Sequence, residues 1–286
     1  MLKHLKYGTD PEVFVCDNDG VLSPPLLEMI YGLKPITESL DHPVYFDNEN
    51  FMWIMDGVAF ELTIKKPLDN AKQMFSIIND SLDLLTNKIY NLDQSLFIEK
   101  KPAVKINPDR YLNLLWDERF NNGFIMGCDT DEDAMNKDYN CKVVDIYSHK
   151  YRYGGGHIHL SGYEEIYNYY LPCVQLLAIT LGNFCLANSL FMKEEKIRSE
   201  TYGKPGRYRR QIYPSGEKGV EYRSPSNSWL SLDEQKMHEM FWWASKGVEF
   251  LLNENDKIIK EYLNTTIYAI TNSKPEISTK VLEDIK

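Results

Sequence analysis

The sequence predicts an α+β fold built around an antiparallel sheet. Residues 58–65 alternate between apolar side chains and small or polar ones, which is the two-residue period of a strand. After Pro67 the period changes, and apolar side chains recur at helical spacing over residues 71–89. Strand-like and helix-like segments do not alternate as βαβ units along the chain. An antiparallel sheet with flanking helices is therefore favoured over a parallel sheet.

The other predicted elements are placed by the same two periods. An early strand is indicated by the alternation that begins at Glu12. Ser231 and Glu234 have the spacing of a capping box and predict the start of a helix that continues through Leu251. The remaining predicted strands lie near 142–148, at 156–161 and at 219–224. An uncharged helix is predicted over 171–192 and a last helix over about 254–271.

Length and composition describe an ordinary globular chain with an acidic balance. The 286 residues are enough to bury a sizeable core without disulfides or metals, and 43% of them are hydrophobic. The 42 acidic and 32 basic residues give a net charge of −10, which argues against general nucleic-acid binding but leaves room for a local basic site. Five widely spaced cysteines without a CxxC pair indicate a reducing cytoplasm.

Residues 171–192 carry no charged side chain and are long enough to span a bilayer. Gln175, Asn183 and Asn188 interrupt the apolar run, and polar side chains are costly in lipid. We therefore expect a buried core helix and no membrane span.

A glycine run precedes two histidines in the segment Arg-Tyr-Gly-Gly-Gly-His-Ile-His-Leu. His157 and His159 are two residues apart, so on a strand they share one face. Glycines allow another group to approach the backbone closely, and neutral imidazole is a common metal ligand. A metal site and a substrate contact are both compatible with the motif, and the alternative is a solvent-facing pair on an edge strand.

Two pairs of carboxylates lie on or beside predicted strands. Asp10 and Glu12 share a face just after a turn, and Asp56 precedes a strand in which Glu61 stands between apolar residues. On the second strand the neighbours on the same face are small, which leaves room for an ion or a ligand. Both pairs could equally be solvated acids on exposed faces.

Positive charge is concentrated in residues 193–223, which hold nine basic residues against five acidic ones. Arginine suits bidentate binding of phosphate, so this segment favours an anion site over a solvated basic loop or a weak nucleic-acid patch. Residues 202–210 have the glycines expected of a mobile loop. Glu221 and Arg223 are expected on one face of the following strand.

Several common motifs do not occur in the sequence. It contains no GxxxxGK[ST] phosphate loop, no GxGxxG motif after a strand, no HExxH and no GxSxG. The acidic stretch from Asp129 begins like a calcium loop but has Ala134 in place of the required glycine. Carboxylates, a strand histidine and an arginine-rich segment together fit divalent cations that bridge nucleotide phosphates during phosphoryl transfer.

Five motifs occur in a fixed order and resemble a family of carboxylate–amine ligases, or amidoligases, of phages and bacteria. That family is related to glutamine synthetase and glutamate–cysteine ligase. The motifs extend from residue 8 to residue 230 and read GTDPEVFV, DGVAFELTIKKP, GCDTDEDAMN, RYGGGHIHLSG and ETYGKPGRYRR…GVEYRSPSNSWL. The resemblance implies one catalytic domain over residues 1–286, with C-terminal helices over 231–286. It also implies a glutamine synthetase-like antiparallel sheet that binds ATP and Mg²⁺ or Mn²⁺.

The resemblance also implies roles for individual residues. The metal ligands it implies are Glu12, Glu61, His157 and Glu221, with His157 and His159 both candidates for the strand histidine that meets metal or phosphate. The implied catalytic residues are Arg207, Arg223 and Glu221. Nucleotide contacts are assigned to Lys204, Arg207, Arg209, Arg210, Arg223 and His159.

The implied reaction joins a carboxylate to an amine through an acyl phosphate, with release of ADP and phosphate. Its substrates are small-molecule or peptide carboxylates and amines, with nucleic acid as a substrate not excluded and a homo-oligomer as an open alternative. The expected location is the cytoplasm, or the host cytoplasm for a phage protein. Thr63, where the family often has asparagine, is a departure that affects the substrate side of the site. Two rival activities use many of the same residues, a guanidino-kinase-like phosphotransferase and a metal-dependent hydrolase.

Overall fold

A computed structural model describes residues 2–37, 42–107, 109–111, 132–136, 150–213 and 215–286. Within these residues, thirteen strands are formed. They are β1 Lys6–Thr9, β2 Glu12–Asp17, β3 Gly20–Leu22, β4 Val44–Asp47, β5 Phe51–Asp56, β6 Ala59–Ile64, β7 Phe97–Glu99, β8 Ala103–Lys105, β9 Glu132–Asp133, β10 Tyr151–Tyr153, β11 Ile158–Ser161, β12 Arg207–Ile212 and β13 Lys218–Tyr222.

The helices follow the same chain order and are numbered here in sequence. They are α1 Pro24–Tyr31, α2 Ala71–Leu92, α3 Glu164–Asn168, α4 Tyr170–Leu177, α5 Asn183–Asn188, α6 Met192–Thr201, α7 Glu234–Leu252, α8 Asp256–Thr271 and α9 Pro275–Ile285. A π-helical segment, Ala178–Gly182, joins α4 to α5, and a 3₁₀ turn, Asn227–Ser231, precedes α7.

The fold is mixed, with antiparallel sheets and flanking helices, as the sequence predicts. One five-stranded sheet has the order β1-β11-β13-β12-β9. A second sheet has the order β3-β2-β6-β5-β4, with β7 also paired to β2, and β10 pairs with β8. Every strand pair in the described part of the chain is antiparallel.

The two larger sheets are joined where the chain passes from β1 to β2. The backbone N–H of Glu12 donates to the carbonyl of Gly155, just before β11, at 2.9 Å. On the other side of the chain, the N–H of Leu62 in β6 donates to the carbonyl of Pro11 at 3.0 Å. Tyr7 and Leu68 exchange a further pair of backbone hydrogen bonds. The sheets therefore continue into one another at this point, and residues of both can share one site.

Side-chain alternation gives the five-stranded sheet one apolar face and one polar face. Ile158, Leu160, Tyr208, Val220 and Tyr222 are buried on the apolar face. Helices α3 and α4 contact β13 on this side, and α4 also packs against α7. The opposite face carries the histidines, arginines and carboxylates described below.

Residues 171–188 of the predicted segment 171–192 form the core helix expected from its composition, and residues 189–191 lie outside it. The continuous helix Tyr170–Asn188 is, within the described residues, the one that could cross a membrane by length and composition. Its most apolar window has a mean hydropathy of 1.6, but 72% of that window is buried inside the fold. Asn183 is fully buried and donates through Nδ2 to the carbonyl of Ile179 and to the hydroxyl of Thr266. These two hydrogen bonds satisfy the amide N–H groups of this side chain inside the core.

Two helix predictions agree closely with the structure, and one helix start is wrong. The amphipathic helix after Pro67 is α2, with Asn70 as its N-cap, and the last predicted helix is α8. The N-cap of α7 is Asp233, whose Oδ1 accepts from the N–H of Lys236 at 2.8 Å. Ser231 instead ends the preceding 3₁₀ turn. Asp233 competes for the same capping role and lies closer to the first helical residue.

The loop predicted at 202–210 is only partly a loop. Residues from Arg207 onward form β12, which pairs with both β13 and β9. Pairing on both sides overrides the turn signals of the neighbouring glycines, because backbone groups inside a sheet must be hydrogen-bonded. The strand predicted at 142–148 lies outside the described residues, as do Cys128, Asp129 and Cys141.

The glycine run 154–156 is required by close packing. An ideal Cβ at Gly156 would overlap the carbonyl of Ser226 and the indole nitrogen of Trp229. At Gly155, a Cβ would lie 2.5 Å from Nε2 of His157. Trp229 donates through Nε1 to the carbonyl of Gly156 at 3.0 Å, which holds the segment in place.

We predict that Gly156→Ala lowers the free energy of unfolding by about 3 kcal/mol, since the new methyl group overlaps buried backbone and a buried indole. Gly216→Ala is the matched control. Gly216 has a φ of +80° but open space around its Cβ position, so its substitution should cost only about 1 kcal/mol of backbone strain. Urea unfolding of the two variants measures the difference. Equal losses of the free energy of unfolding would show that the contacts around Gly156 do not require a glycine there.

Candidate active site

Strand pairing places predicted site residues in one row across the polar face. His159 of β11 lies opposite Glu221 of β13, and Glu221 lies opposite Arg209 of β12. Gly8 of β1 completes the row beside His159 and is close-packed, since an ideal Cβ there would lie 3.2 Å from the His159 Cβ. Nε2 of Gln211 donates to Oε2 of Glu221 at 2.5 Å.

A second group of residues lies two positions further along each of these segments, either at the first residue of β12 or one residue beyond the ends of β1, β11 and β13. It contains Asp10, His157, Arg223 and Arg207. Arg223 and Arg207 are joined through the backbone, since the N–H of Arg223 donates to the carbonyl of Arg207 at 2.8 Å. Both arginines are buried. The face therefore presents charged side chains from four neighbouring segments of chain.

Asp10, His157 and Glu221 form the first potential metal-binding group, called here the histidine cluster. Nδ1 of His157 lies 3.2 Å from Oδ1 of Asp10 and 3.4 Å from Oε1 of Glu221. His157 and Glu221 are almost completely buried. The second carboxylate oxygen of Asp10 lies 3.2 Å from Nε2 of His159, so Asp10 stands between the two histidines.

Glu12, Asp56 and Glu61 form the second group, called here the carboxylate cluster. Glu12 and Glu61 are directly opposite each other in the β2–β6 pairing, and Asp56 lies opposite Ala59, two residues from Glu61. The three residues can bring one oxygen each within 4.8 Å of the others. Glu12 also accepts a hydrogen bond from the N–H of Gly155 at 2.9 Å, which fixes its carboxylate at the join between the sheets.

The histidine cluster is electrostatically balanced. Burial raises the pKa of the Asp10 carboxyl, but the nearby imidazoles of His159 and His157 outweigh it and hold that pKa well below its usual range. Burial likewise opposes ionisation of Glu221, yet the Arg223 guanidinium lowers its pKa. The Arg223 and Glu221 side chains form a direct ion pair. Both carboxylates are therefore ionised near neutral pH.

The carboxylate cluster is not balanced in this way. Burial, followed by repulsion from Asp56, raises the pKa of Glu12 to about 8. Burial also raises the pKa of Glu61 well above its usual value, and repulsion from Asp10, Asp56, Glu12 and Glu221 adds to the shift. The influence of Asp10 and Glu221 on Glu61 shows that the two clusters belong to one electrostatic site.

The two histidines differ in charge state. Burial and the positive charge of Arg223 lower the pKa of His157, which favours its neutral form. Burial also lowers the pKa of His159, but Asp10 outweighs it, and the net shift is upward. Neutral His157 has a lone pair available for a metal, whereas His159 is suited to carry positive charge.

These residues fit divalent cations of the Mg²⁺ and Mn²⁺ type. The carboxylate cluster offers the hard oxygen ligands that such ions prefer. In the histidine cluster, the buried atoms Nδ1 of His157 and Oδ1 of Asp10 face each other at 3.2 Å without the geometry of a hydrogen bond. A bound cation would satisfy these buried ligand atoms and would also relieve the repulsion among the carboxylates.

The predicted nucleotide-binding residues do not all lie on this face. Arg209 is about one-third exposed, and its Nη1 lies 3.6 Å from Oε2 of Glu221. Arg210 points to the opposite face of β12, where it lies 3.6 Å from a carboxylate oxygen of Glu132 and over the ring of Tyr170. Lys204 is half-buried, and its backbone carbonyl accepts from the Ser224 hydroxyl at 2.8 Å.

Several side chains join the site beyond those that the family resemblance implies. Asp10 and Asp56, which the sequence marks as carboxylates beside predicted strands, complete the two clusters. Tyr202 contacts Nε2 of His157 through its hydroxyl at 3.2 Å, and Tyr213 contacts Nδ1 of His159 at 3.1 Å. No local pattern distinguishes these two tyrosines from the other tyrosines of the chain.

Comparisons of the chain with protein-family models, curated proteins and solved structures found no match. The family resemblance therefore depends on the ordered sequence motifs.

We predict that neutralising Glu61 and Glu221 has opposite effects on the metal-free protein. Glu61→Gln removes a carboxylate repelled by its neighbours and should leave the free energy of unfolding unchanged or raise it. Glu221→Gln removes the carboxylate of the buried ion pair between Glu221 and Arg223 and should lower the free energy of unfolding by about 3 kcal/mol. Urea unfolding at pH 7 with a chelator present measures both. If Glu61→Gln lowered the free energy of unfolding as much as Glu221→Gln, the repulsion assigned to Glu61 and the ion pair assigned to Glu221 would be contradicted.

Proposed function

We propose that this chain is an ATP-dependent carboxylate–amine ligase that works with Mg²⁺ or Mn²⁺ and passes through an acyl phosphate. The observation that carries the proposal is that the histidine cluster and the buried arginines Arg207 and Arg223, at the polar face of the five-stranded sheet, lie next to the carboxylate cluster of the second sheet. Cations at such clusters and guanidinium groups beside them are the two components that phosphoryl transfer requires.

The residues divide into two metal-binding groups in this proposal. The carboxylate cluster of Glu12, Asp56 and Glu61 would hold one ion, and the histidine cluster of Asp10, His157 and Glu221 would hold another. Bound divalent cations supply positive charge that neutralises the β- and γ-phosphates. Asp10 and Asp56 extend the ligand set implied by the family resemblance.

The arginines are assigned to the phosphates. Arg223 is oriented by its ion pair with Glu221, and Arg207 is buried next to it. Arg209 is more accessible, with its Nε atom unpaired within the described residues, so it can turn a donor toward an anion. Guanidinium groups bind phosphate oxygens bidentately and remain charged at all physiological pH values.

The proposed chemistry has two steps. An oxygen of the carboxylate substrate attacks the γ-phosphorus, the bond to the β-phosphate oxygen breaks, and ADP leaves. The amine nitrogen then attacks the acyl carbon, phosphate leaves with the electron pair of the C–O bond, and the amine loses one proton. His159, which lies beside Asp10 and is not assigned to a cation, is the titratable group of the site proposed to exchange that proton.

A glutamine synthetase-like arrangement of a single catalytic domain is part of the same proposal. The antiparallel pairing of the described strands and the position of the helices on the apolar face support it. The substrates are proposed as small-molecule or peptide carboxylates and amines, with nucleic acid also considered, and the place of action as the cytoplasm. A homo-oligomer is compatible with the proposal.

We predict that Arg209 and Arg210 contribute differently to nucleotide binding. Arg209→Ala should weaken ATP binding in the presence of Mg²⁺ by about 10-fold, the effect of losing a charge-assisted hydrogen bond. Arg210→Ala is the matched control, because that guanidinium lies on the opposite face of β12, and its effect should stay below about 2-fold. Isothermal titration calorimetry measures both. Equal weakening of ATP binding in the two variants would contradict the assignment of Arg209 to the nucleotide-binding face.

We also predict the products of the reaction. Hydroxylamine offered with pooled carboxylates and ATP should form a hydroxamate with one ADP released per hydroxamate, because the γ-phosphoryl group is the one transferred. Hydroxamate with AMP would indicate adenylation and refute the proposed mechanism. ADP with a phosphorylated guanidino product would favour the kinase-like rival, and cleavage of substrate without ATP would favour the hydrolase.

A further inference from the structure

We propose that Tyr202 is a positioning residue for the histidine cluster, holding the imidazole of His157 and the guanidinium of Arg223 in the orientation that a cation at Nδ1 requires. The inference rests on the proposed function, because it concerns the metal that the function uses. Tyr202 was not singled out from the sequence.

The two ring nitrogens of His157 have different neighbours. Nδ1 faces the carboxylates of Asp10 and Glu221 and has no hydrogen-bond partner within the described residues. Nε2 lies 3.2 Å from the hydroxyl oxygen of Tyr202. A neutral imidazole carries one N–H, so a cation bound to the lone pair of Nδ1 would require the proton on Nε2. With the cation bound, the hydroxyl oxygen of Tyr202 would accept that N–H.

Arg223 contacts the same hydroxyl group of Tyr202. Its Nη2 donates to the same hydroxyl oxygen at 3.3 Å. A guanidinium can only donate, so the oxygen of Tyr202 accepts from it. The hydroxyl therefore links His157 to Arg223, and Arg223 in turn pairs with Glu221. The Tyr202 hydroxyl therefore orients His157, the proposed nitrogen ligand, and also Arg223, the ion-pair partner of the proposed oxygen ligand Glu221.

The aromatic ring of Tyr202 packs between two neighbouring side chains. The guanidinium of Arg198 lies over the ring, 5.0 Å from its centroid, and the ring of Tyr153 stacks parallel to it with centroids 6.2 Å apart. Arg198 is buried and donates to the carbonyls of Ser224 at 2.8 Å and Pro225 at 3.0 Å. Arg198 thus positions both Tyr202 and the segment that follows Arg223.

Gly203 makes this arrangement possible. An ideal Cβ at Gly203 would overlap the guanidinium of Arg198, and its φ of +64° lies in the left-handed region. Because Gly203 has no side chain, the Arg198 guanidinium has room to lie over the ring of Tyr202. Partners that orient a metal-ligating histidine through its second nitrogen are a general feature of metal centres, and losing one typically weakens metal binding by about 10- to 100-fold.

The test uses Tyr202→Phe, which keeps the ring and removes the hydroxyl, with Tyr153→Phe as the matched control from the same stacked pair. Mn²⁺ alone is titrated into the intact protein and followed by electron paramagnetic resonance of the free ion. We expect the affinity of Tyr202→Phe to be weaker by about 10- to 100-fold and that of Tyr153→Phe to match the wild type within about 2-fold. Unchanged melting temperatures would exclude a general loss of folding.

A second measurement separates orientation from simple packing. With ¹⁵N-labelled histidine, ring-nitrogen spectra should show His157 protonated on Nε2 once Mg²⁺ is added to the wild type, and a smaller fraction of this tautomer in Tyr202→Phe at the same Mg²⁺ concentration. Equal Mn²⁺ affinities and equal tautomer fractions would overturn the inference and leave the proposed function intact. A wild-type protein that binds neither ion would overturn both, whereas metal binding without hydroxamate formation would refute the proposed reaction alone.

Discussion

The candidate site depends on the close passage of the glycine run 154–156 between the start of β2 and the turn before α7. Gly155 and Glu12 are joined by two hydrogen bonds, one between backbone groups and one from the Gly155 N–H to the Glu12 carboxylate. From the other side, Asn227 donates through Nδ2 to the carbonyl of Glu12 at 2.8 Å. A side chain on these glycines would push the segments apart, and the two clusters would then no longer share one face.

The electrostatics of the site follow from this packing. Carboxylates from both sheets are brought together in a partly dehydrated environment, where like charges repel strongly. Arg223 and the two histidines compensate Asp10 and Glu221, while Glu12 and Glu61 are left with raised pKa values. Mutually repelling carboxylates lower stability when no positive charge compensates them, so Glu12 and Glu61 give the proposed cation site its strongest support.

The two faces of the five-stranded sheet divide structural and chemical roles. Tyr208, Val220 and Tyr222 face the helices, and their neighbours Arg209 and Glu221 face the site. Because successive side chains of a strand point to opposite faces, one short strand contributes both to the core and to the site. The same rule separates Arg209 from Arg210, although both belong to one basic segment.

The sequence by itself determined the local features of this protein. Helix α2 and strand β6 follow from hydrophobic periods of 3.6 and 2, and the pairs His157 with His159 and Glu221 with Arg223 share a face because each pair is two residues apart on an extended chain. These properties depend only on the geometry of one segment, which the residue pattern specifies.

Only the tertiary structure decided which of these segments meet. The grouping of Asp10 with His157 and Glu221, the contact of Tyr202 with His157 and the distribution of the carboxylates over two clusters all depend on strand register and on packing between distant segments. Ser231 does not cap α7 because it belongs to the preceding 3₁₀ turn, which leaves Asp233 next to the first helical residue. Such contacts are set by the mutual fit of the whole core, and a local residue pattern does not contain that information.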